Sequence, residues 1–186
     1  MNNIKVKTKF RILFVITIAI LISLGAANLI IVNNLKSQSL DMIKTSISTE
    51  YDTNIKQQVE SVVSLCESYN KRIEAGELTK DEGMKQCAAE IRALRYSDTG
   101  YFWVDNYEGT NVVLLGGDKE GTNRLDIADA KGFKMVADFI KGAKTNVKSG
   151  YFSNYYFPKE GETKPSPKRA YTKAYEPFQW VVGTGN

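Results

Sequence analysis

Tyr101, Trp103, Tyr155 and Tyr171 stand close to Lys168 and Arg169 in segments that alternate like β-strands, and no other residues in the chain are as well suited to chemistry. Strand alternation puts Tyr101, Trp103 and Asp105 on one face and Phe102 with Val104 on the other. A cup lined by tyrosine hydroxyls, an indole N–H and one Lys or Arg suits a small carboxylate. The cation offsets the ligand charge, and the neutral donors satisfy its two oxygens. The same alternation places Lys168 and Tyr171 on opposite faces, so both reach one cup only if Pro167 or a bulge shifts the register. Arg169 is the substitute cation if the register is regular. The competing reading is that the aromatics are core and the cations a solvated face.

Other chemistries find little support. The chain has no histidine, which removes the commonest general base, metal ligand and proton switch near neutral pH. Serine–histidine and cysteine–histidine sites cannot be built from it, so an anchored hydrolase is disfavoured and the chain reads as no enzyme, with no cofactor or metal implied. Residues 116–122 have the glycine spacing of a phosphate loop, but Thr122-Asn123 stand where Lys-Ser/Thr would be needed. Residues 105–109 lack the alternating oxygen ligands of a calcium loop. Gly183-Thr184-Gly185 follows a strand but opens no helix.

The elements that must carry the cup follow from periodicity. Leu40, Ile43, Ile47, Tyr51, Ile55, Val59, Val62, Cys66, Tyr69 and Ile73 recur every three or four residues and predict one long amphipathic helix ending at Gly76. Thr79 with Glu82 forms a capping box for a second helix, whose apolar face is Met84, Cys87, Ala88, Ile91 and Leu94. The two make a hairpin about Gly76-Glu77, with Cys66 and Cys87 nearly equidistant from the turn. They would meet either as a disulfide or as two buried thiols. Short aromatic and β-branched runs at residues 101–105, 110–114, 151–157, 169–175 and 179–182 predict strands, with an irregular loop over 116–132 and a short helix from Phe133 to about Gly142. The fold class is therefore α+β with an antiparallel sheet.

Residues 12–32 form an uncharged, largely apolar run long enough to cross a bilayer. Lys5, Lys7, Lys9 and Arg11 precede it without an acidic residue, and the positive-inside rule keeps that flank in the cytoplasm. The formal net charge is +4 and these four residues supply all of it, so residues 12–186 are neutral overall. The basic balance therefore argues for no nucleic-acid partner. The expected organisation is a cytoplasmic segment (1–11), a transmembrane helix (12–32), a stalk helix and hairpin (33–99) and a sensor sheet (100–186) outside the cytoplasm. The apolar stripe is longer than one small domain can cover, which predicts a homodimer through the stalk.

Gly100-Tyr101-Phe102-Trp103-Val104-Asp105, Gly121 to Gly132 (GTNRLDIADAKG), Tyr155-Tyr156-Phe157-Pro158-Lys159, Pro167-Lys168-Arg169-Ala170-Tyr171 and Phe178-Gln179-Trp180-Val181-Val182-Gly183-Thr184-Gly185 occur in an order that resembles the single-Cache (sCache_2) sensor domain of bacterial methyl-accepting chemotaxis receptors. The resemblance spans residues 51–186, within a domain expected over about 37–186. It implies a PAS-like sheet on a long N-terminal helix, binding small organic acids of the acetate, propionate, pyruvate or lactate type and signalling across the cell membrane. It further implies ligand-binding roles for Arg95, Tyr101, Trp103, Tyr155, Lys168 and Tyr171. Many relatives carry His-Pro where this chain has Leu114-Leu115, which points to a different or less polar ligand. The alternative output is a histidine kinase or a cyclic-dinucleotide enzyme. A purely adhesive ectodomain would show no saturable small-molecule binding.

Overall fold

The computed structural model describes residues 5–158 and 162–185; Lys159 of the expected Phe-Pro-Lys segment and the terminal Asn186 lie outside them. The first helix, α1, runs Val6–Glu74, and the chain divides into two compact units, Met1–Glu50 and Tyr51–Asn186. In the first unit every described residue is exposed, including Ile16, Ile20 and Leu24. Among the described residues α1 is the one helix long and apolar enough to cross a membrane.

In the second unit the apolar stripe sinks into a core. Ile55, Val59, Val62, Cys66 and Tyr69 are spaced alternately by four and three, and all are buried. Gly76 adopts φ +75° and ends the turn. The expected capping box then starts α2 (Lys80–Ala93): Thr79 Oγ1 accepts from Glu82 N (3.3 Å), and Glu82 Oε2 accepts from Thr79 N (3.0 Å). Cys87, Ala88 and Ile91 complete this side of the core.

Five strands follow: β1 (Trp103–Asn106), β2 (Asn111–Leu114), β3 (Tyr151–Pro158), β4 (Pro165–Tyr175) and β5 (Trp180–Gly185). They pair antiparallel in the order β2-β1-β5-β4-β3. Asn106 Oδ1 accepts from Glu108 N and Thr110 N in the β1–β2 turn, and Gly109 there takes φ +85°. Helix α3 (Met135–Thr145) starts two residues later than Phe133, because Asp129 Oδ1 holds Lys131 N and Phe133 N in the preceding turn. β4 begins at Pro165 rather than near Arg169, because its pairing with β3 continues in unbroken register to Pro158↔Pro165.

The sheet is buried on both sides. Phe102, Val104, Tyr171, Tyr175, Trp180 and Val182 pack against the Tyr51–Glu74 part of α1 and α2. Trp103, Tyr155, Ala170, Ala174 and Val181 pack against Met135, Val136, Phe139 and Ile140 of α3. A ligand cup on the sheet, as the sequence leads one to expect, would lie on one of these two covered faces.

Candidate functional site

The α3 face gathers four of the expected residues. Trp103 is 5% exposed, with its ring 5.6 Å from Phe139 and 6.5 Å from Tyr101. Phe139 in turn meets Tyr155 edge-on at 5.3 Å, so α3 supplies the ring that joins the two strand aromatics. Lys168 sits directly across from Tyr155 in the β3–β4 register and is half-buried. Burial pushes the Tyr155 phenol well above its ordinary range. Tyr101, Tyr51 and Tyr96 push it the same way, and Arg124 pulls it down. The Tyr155 hydroxyl is therefore a neutral donor at physiological pH, with a cation in its electrostatic neighbourhood.

The Trp103 indole Nε1–H is fully buried and has no hydrogen-bond partner among the described residues. An unpaired buried donor costs about 1–3 kcal/mol, so few persist without a reason. Gly183, the β5 partner of Trp103, makes the placement possible. A Cβ there would stand 2.5 Å from Trp103 Cε2 and 2.7 Å from Nε1. The indole thus lies flat across β5 on a strand position without a side chain.

Arg124 is the residue that sequence reasoning missed. It is 8% exposed and grips Asp105, itself 1% exposed, through Nε–Oδ1 (3.0 Å) and Nη2–Oδ2 (2.6 Å). Asn111 Nδ2 also donates to Asp105 Oδ1 (3.0 Å). The carboxylate fixes one edge of the guanidinium and preorganises the rest of it on the Trp103 face. Arg124 reaches there from the 116–132 loop because Arg124 N bonds Gly109 O (2.8 Å) and Thr110 bridges Asn123. Its only signal in the sequence was its place in the GTNR motif after an Asp-bearing strand.

Three expected residues do not join this group. Tyr171 belongs to the opposite face, as plain alternation places it: it is fully buried, its ring is 4.7 Å from Phe152, and its hydroxyl donates to Ser149 O at 2.7 Å. Burial raises its phenol to about 12. The regular β3–β4 register holds no bulge that would turn it round. Arg169, the substitute cation, also faces α1 and is forked onto Asp52 through Nε–Oδ1 and Nη2–Oδ2. Arg95 is exposed, and its Nη1 donates to the carbonyls of Arg92 (2.8 Å) and Leu94 (2.7 Å) at the end of α2. It shares only Tyr101 with the aromatic group, at a separate cleft of about 290 Å³ with Asp98, Thr99 and Leu115.

A five-stranded antiparallel sheet between a long helix and a small helix-and-loop layer, with an aromatic, cation-bearing group on the loop side, defines a PAS-like sensor domain. Residues 47–186 match the Single Cache domain 2 family model, and the chain belongs to that family. It is 31% identical over 155 residues to the sensor histidine kinase MctS of Rhizobium johnstonii, covering 80% of this chain and 32% of that protein. It is 28% identical over 112 residues to the methyl-accepting chemotaxis protein McpP of Pseudomonas putida, covering 60% and 20% respectively. The chain thus spans a third or less of the length of these relatives. Among solved structures it resembles a periplasmic sensor domain of a chemotaxis protein (TM-score 0.69, 29% identity, 74% of this chain and 95% of that one). It also resembles a Cache chemosensory domain described for carboxylic acid recognition (TM-score 0.70, 25% identity, 76% and 95%).

Proposed function

We propose that this chain is the ligand-sensing portion of a membrane receptor for small organic acids of the acetate, propionate, pyruvate or lactate type. The observation that carries the reading is the buried, unpartnered Trp103 N–H inside an aromatic group that also holds Tyr101, Tyr155, Lys168 and Arg124. A carboxylate would accept from the indole and from a tyrosine hydroxyl while Lys168 offsets its charge, with Arg124 as a second fixed cation. Phe139 and the faces of Trp103 and Tyr155 would enclose the short acyl chain. The carboxylic acid recognition described for one structural relative supports this chemistry.

In this reading residues 12–32 anchor the chain in the cell membrane, residues 1–11 are cytoplasmic and the sensor unit lies outside, where the stalk pairs two copies. The chain senses and does not catalyse. The first choice of output is a methyl-accepting chemotaxis module. A histidine kinase is the second, favoured by the 31% identity to a sensor histidine kinase; assay of the receptor in its native cell for chemotaxis or for kinase output decides between them.

The test is thermal melting of residues 37–186 with acetate, propionate, pyruvate and lactate, set against propionamide and propanol. A ligand at about 100 times its Kd should add about 2.7 kcal/mol of stability, a readily visible rise in melting temperature. The acids should give that rise and the neutral analogues should not. Lys168→Ala should remove the response while the unliganded domain still melts in one cooperative transition, which separates loss of binding from loss of fold. Equal responses to acid and amide would end the carboxylate reading.

A further inference from the structure

The packing of α1 against α2 buries a pair of groups that ligand sensing does not use. Cys66 and Cys87 are both fully buried, and their sulfurs lie 3.6 Å apart with the Cys87 thiol directed at Cys66. They stand on opposite sides of the Gly76 turn, one on each helix, between Val62 and Tyr69 of α1 and Ile91 of α2. The hydrogen bond from Cys87, with burial next, raises the Cys66 thiol well above its ordinary value, so in the folded state Cys66 stays protonated and unreactive.

We infer that Cys66 and Cys87 form a dithiol that closes to a cystine by thiol–disulfide exchange, a modification site that fastens α2 to the sensor half of α1. The sulfurs need to approach by only about 1.5 Å from their 3.6 Å separation to reach the S–S bond length of about 2.05 Å. Because both thiols are sealed from solvent, exchange takes place before α2 docks or during its spontaneous openings. With glutathione disulfide as oxidant, one cysteine thiolate attacks a glutathione sulfur and expels glutathione thiolate. The second cysteine thiolate then attacks the protein sulfur of that mixed disulfide and expels the other glutathione. One S–S bond is transferred to the protein, and its two thiol protons leave with two reduced glutathiones.

The bond would bear on more than the hairpin. From α2, Arg92 Nη2 donates to Val112 O (3.2 Å) and binds Glu120, whose Oε1 takes Leu114 N (2.6 Å) and Gly116 N (2.9 Å). Fixing α2 to α1 therefore fixes the helix that holds the end of β2 and the start of the loop bearing Arg124. This inference does not depend on the identity of any ligand.

The test uses the full chain in detergent micelles, unfolded reduced in urea, refolded in glutathione redox buffer, and trapped with iodoacetamide before mass analysis. Refolded protein should be two hydrogens lighter, take up no iodoacetamide, and yield one peptide pair joining Cys66 to Cys87. Its equilibrium constant for closure against glutathione should exceed that of the urea-unfolded chain by about 100-fold, because the fold and the bond support each other. Never-unfolded protein equilibrated in the same buffer must reach the same ratio, which removes any dependence on refolding. Two alkylated thiols in the equilibrated native protein, or a closure constant no larger than in urea, would overturn the inference and leave the pair as packed core thiols.

Discussion

Trp103 shows how a single side chain can be placed by a residue far away in sequence. Its ring needs a flat strand surface, and Gly183 on β5 supplies one. Gly183→Ala puts a methyl group inside the indole's contact distance, so either the ring or β5 must move. Overpacking of this kind costs about 1–3 kcal/mol, which urea unfolding should report as a lowered midpoint with an unchanged slope. Unchanged stability would mean that the indole does not rest on Gly183. Trp103 and Tyr155 were legible as candidates because the type of an aromatic on an alternating strand survives translation into structure. Arg124 was not, because its role depends on Asp105, nineteen positions earlier, meeting it through a loop that has no periodicity to read. For Tyr171 alternation already put it across the sheet from Lys168, and the regular β3–β4 register leaves it there.

β4 carries Lys168 on one face and a row of α1 contacts on the other. Arg169 pairs with Asp52, Lys173 with Glu60 (3.4 Å) and the Tyr175 hydroxyl with Glu67 (2.8 Å), so the polar partners on α1 recur at intervals of eight and seven. The apolar stripe of α1 could be read from the sequence, whereas this neighbouring polar row could not, because solvated faces have the same composition. At the other edge, Glu120 joins α2 to the end of β2. Desolvation raises its pKa, but the bonds from Arg92, Leu114 N and Gly116 N outweigh that and hold it below the ordinary value of 4.5. A group depressed in the folded state adds stability above its unfolded pKa and loses it as pH falls through the folded one. Glu120→Gln should therefore cost about 1–3 kcal/mol near neutral pH, and the gap should close as pH drops below about 4.5. Urea melts of both proteins at several pH values provide the check; a gap that is constant with pH would assign the loss to shape rather than charge.

The whole molecule combines an exposed apolar helical unit with a sensor unit that belongs to the single Cache domain 2 family. Fold class, helix hairpin and strand count were legible because periodicity, caps and turn glycines act locally. Which face of the sheet would hold the proposed cup was not, because helices cover both faces; the loop-borne Arg124 and the unpaired Trp103 indole are what favour the α3 face in this reading. The central claim is that the marked face binds a carboxylate. The chain has two tryptophans, Trp103 and Trp180, so its amide correlation spectrum holds two indole N–H signals, and Trp180→Phe assigns them. Titration of nitrogen-15-labelled residues 37–186 with propionate should move the Trp103 indole signal saturably and downfield, as a donor gaining a charged acceptor does. Propionamide at the same concentrations should leave it in place. A Trp103 indole signal unmoved by propionate and by the other short acids, or moved equally by the amide, would contradict the account.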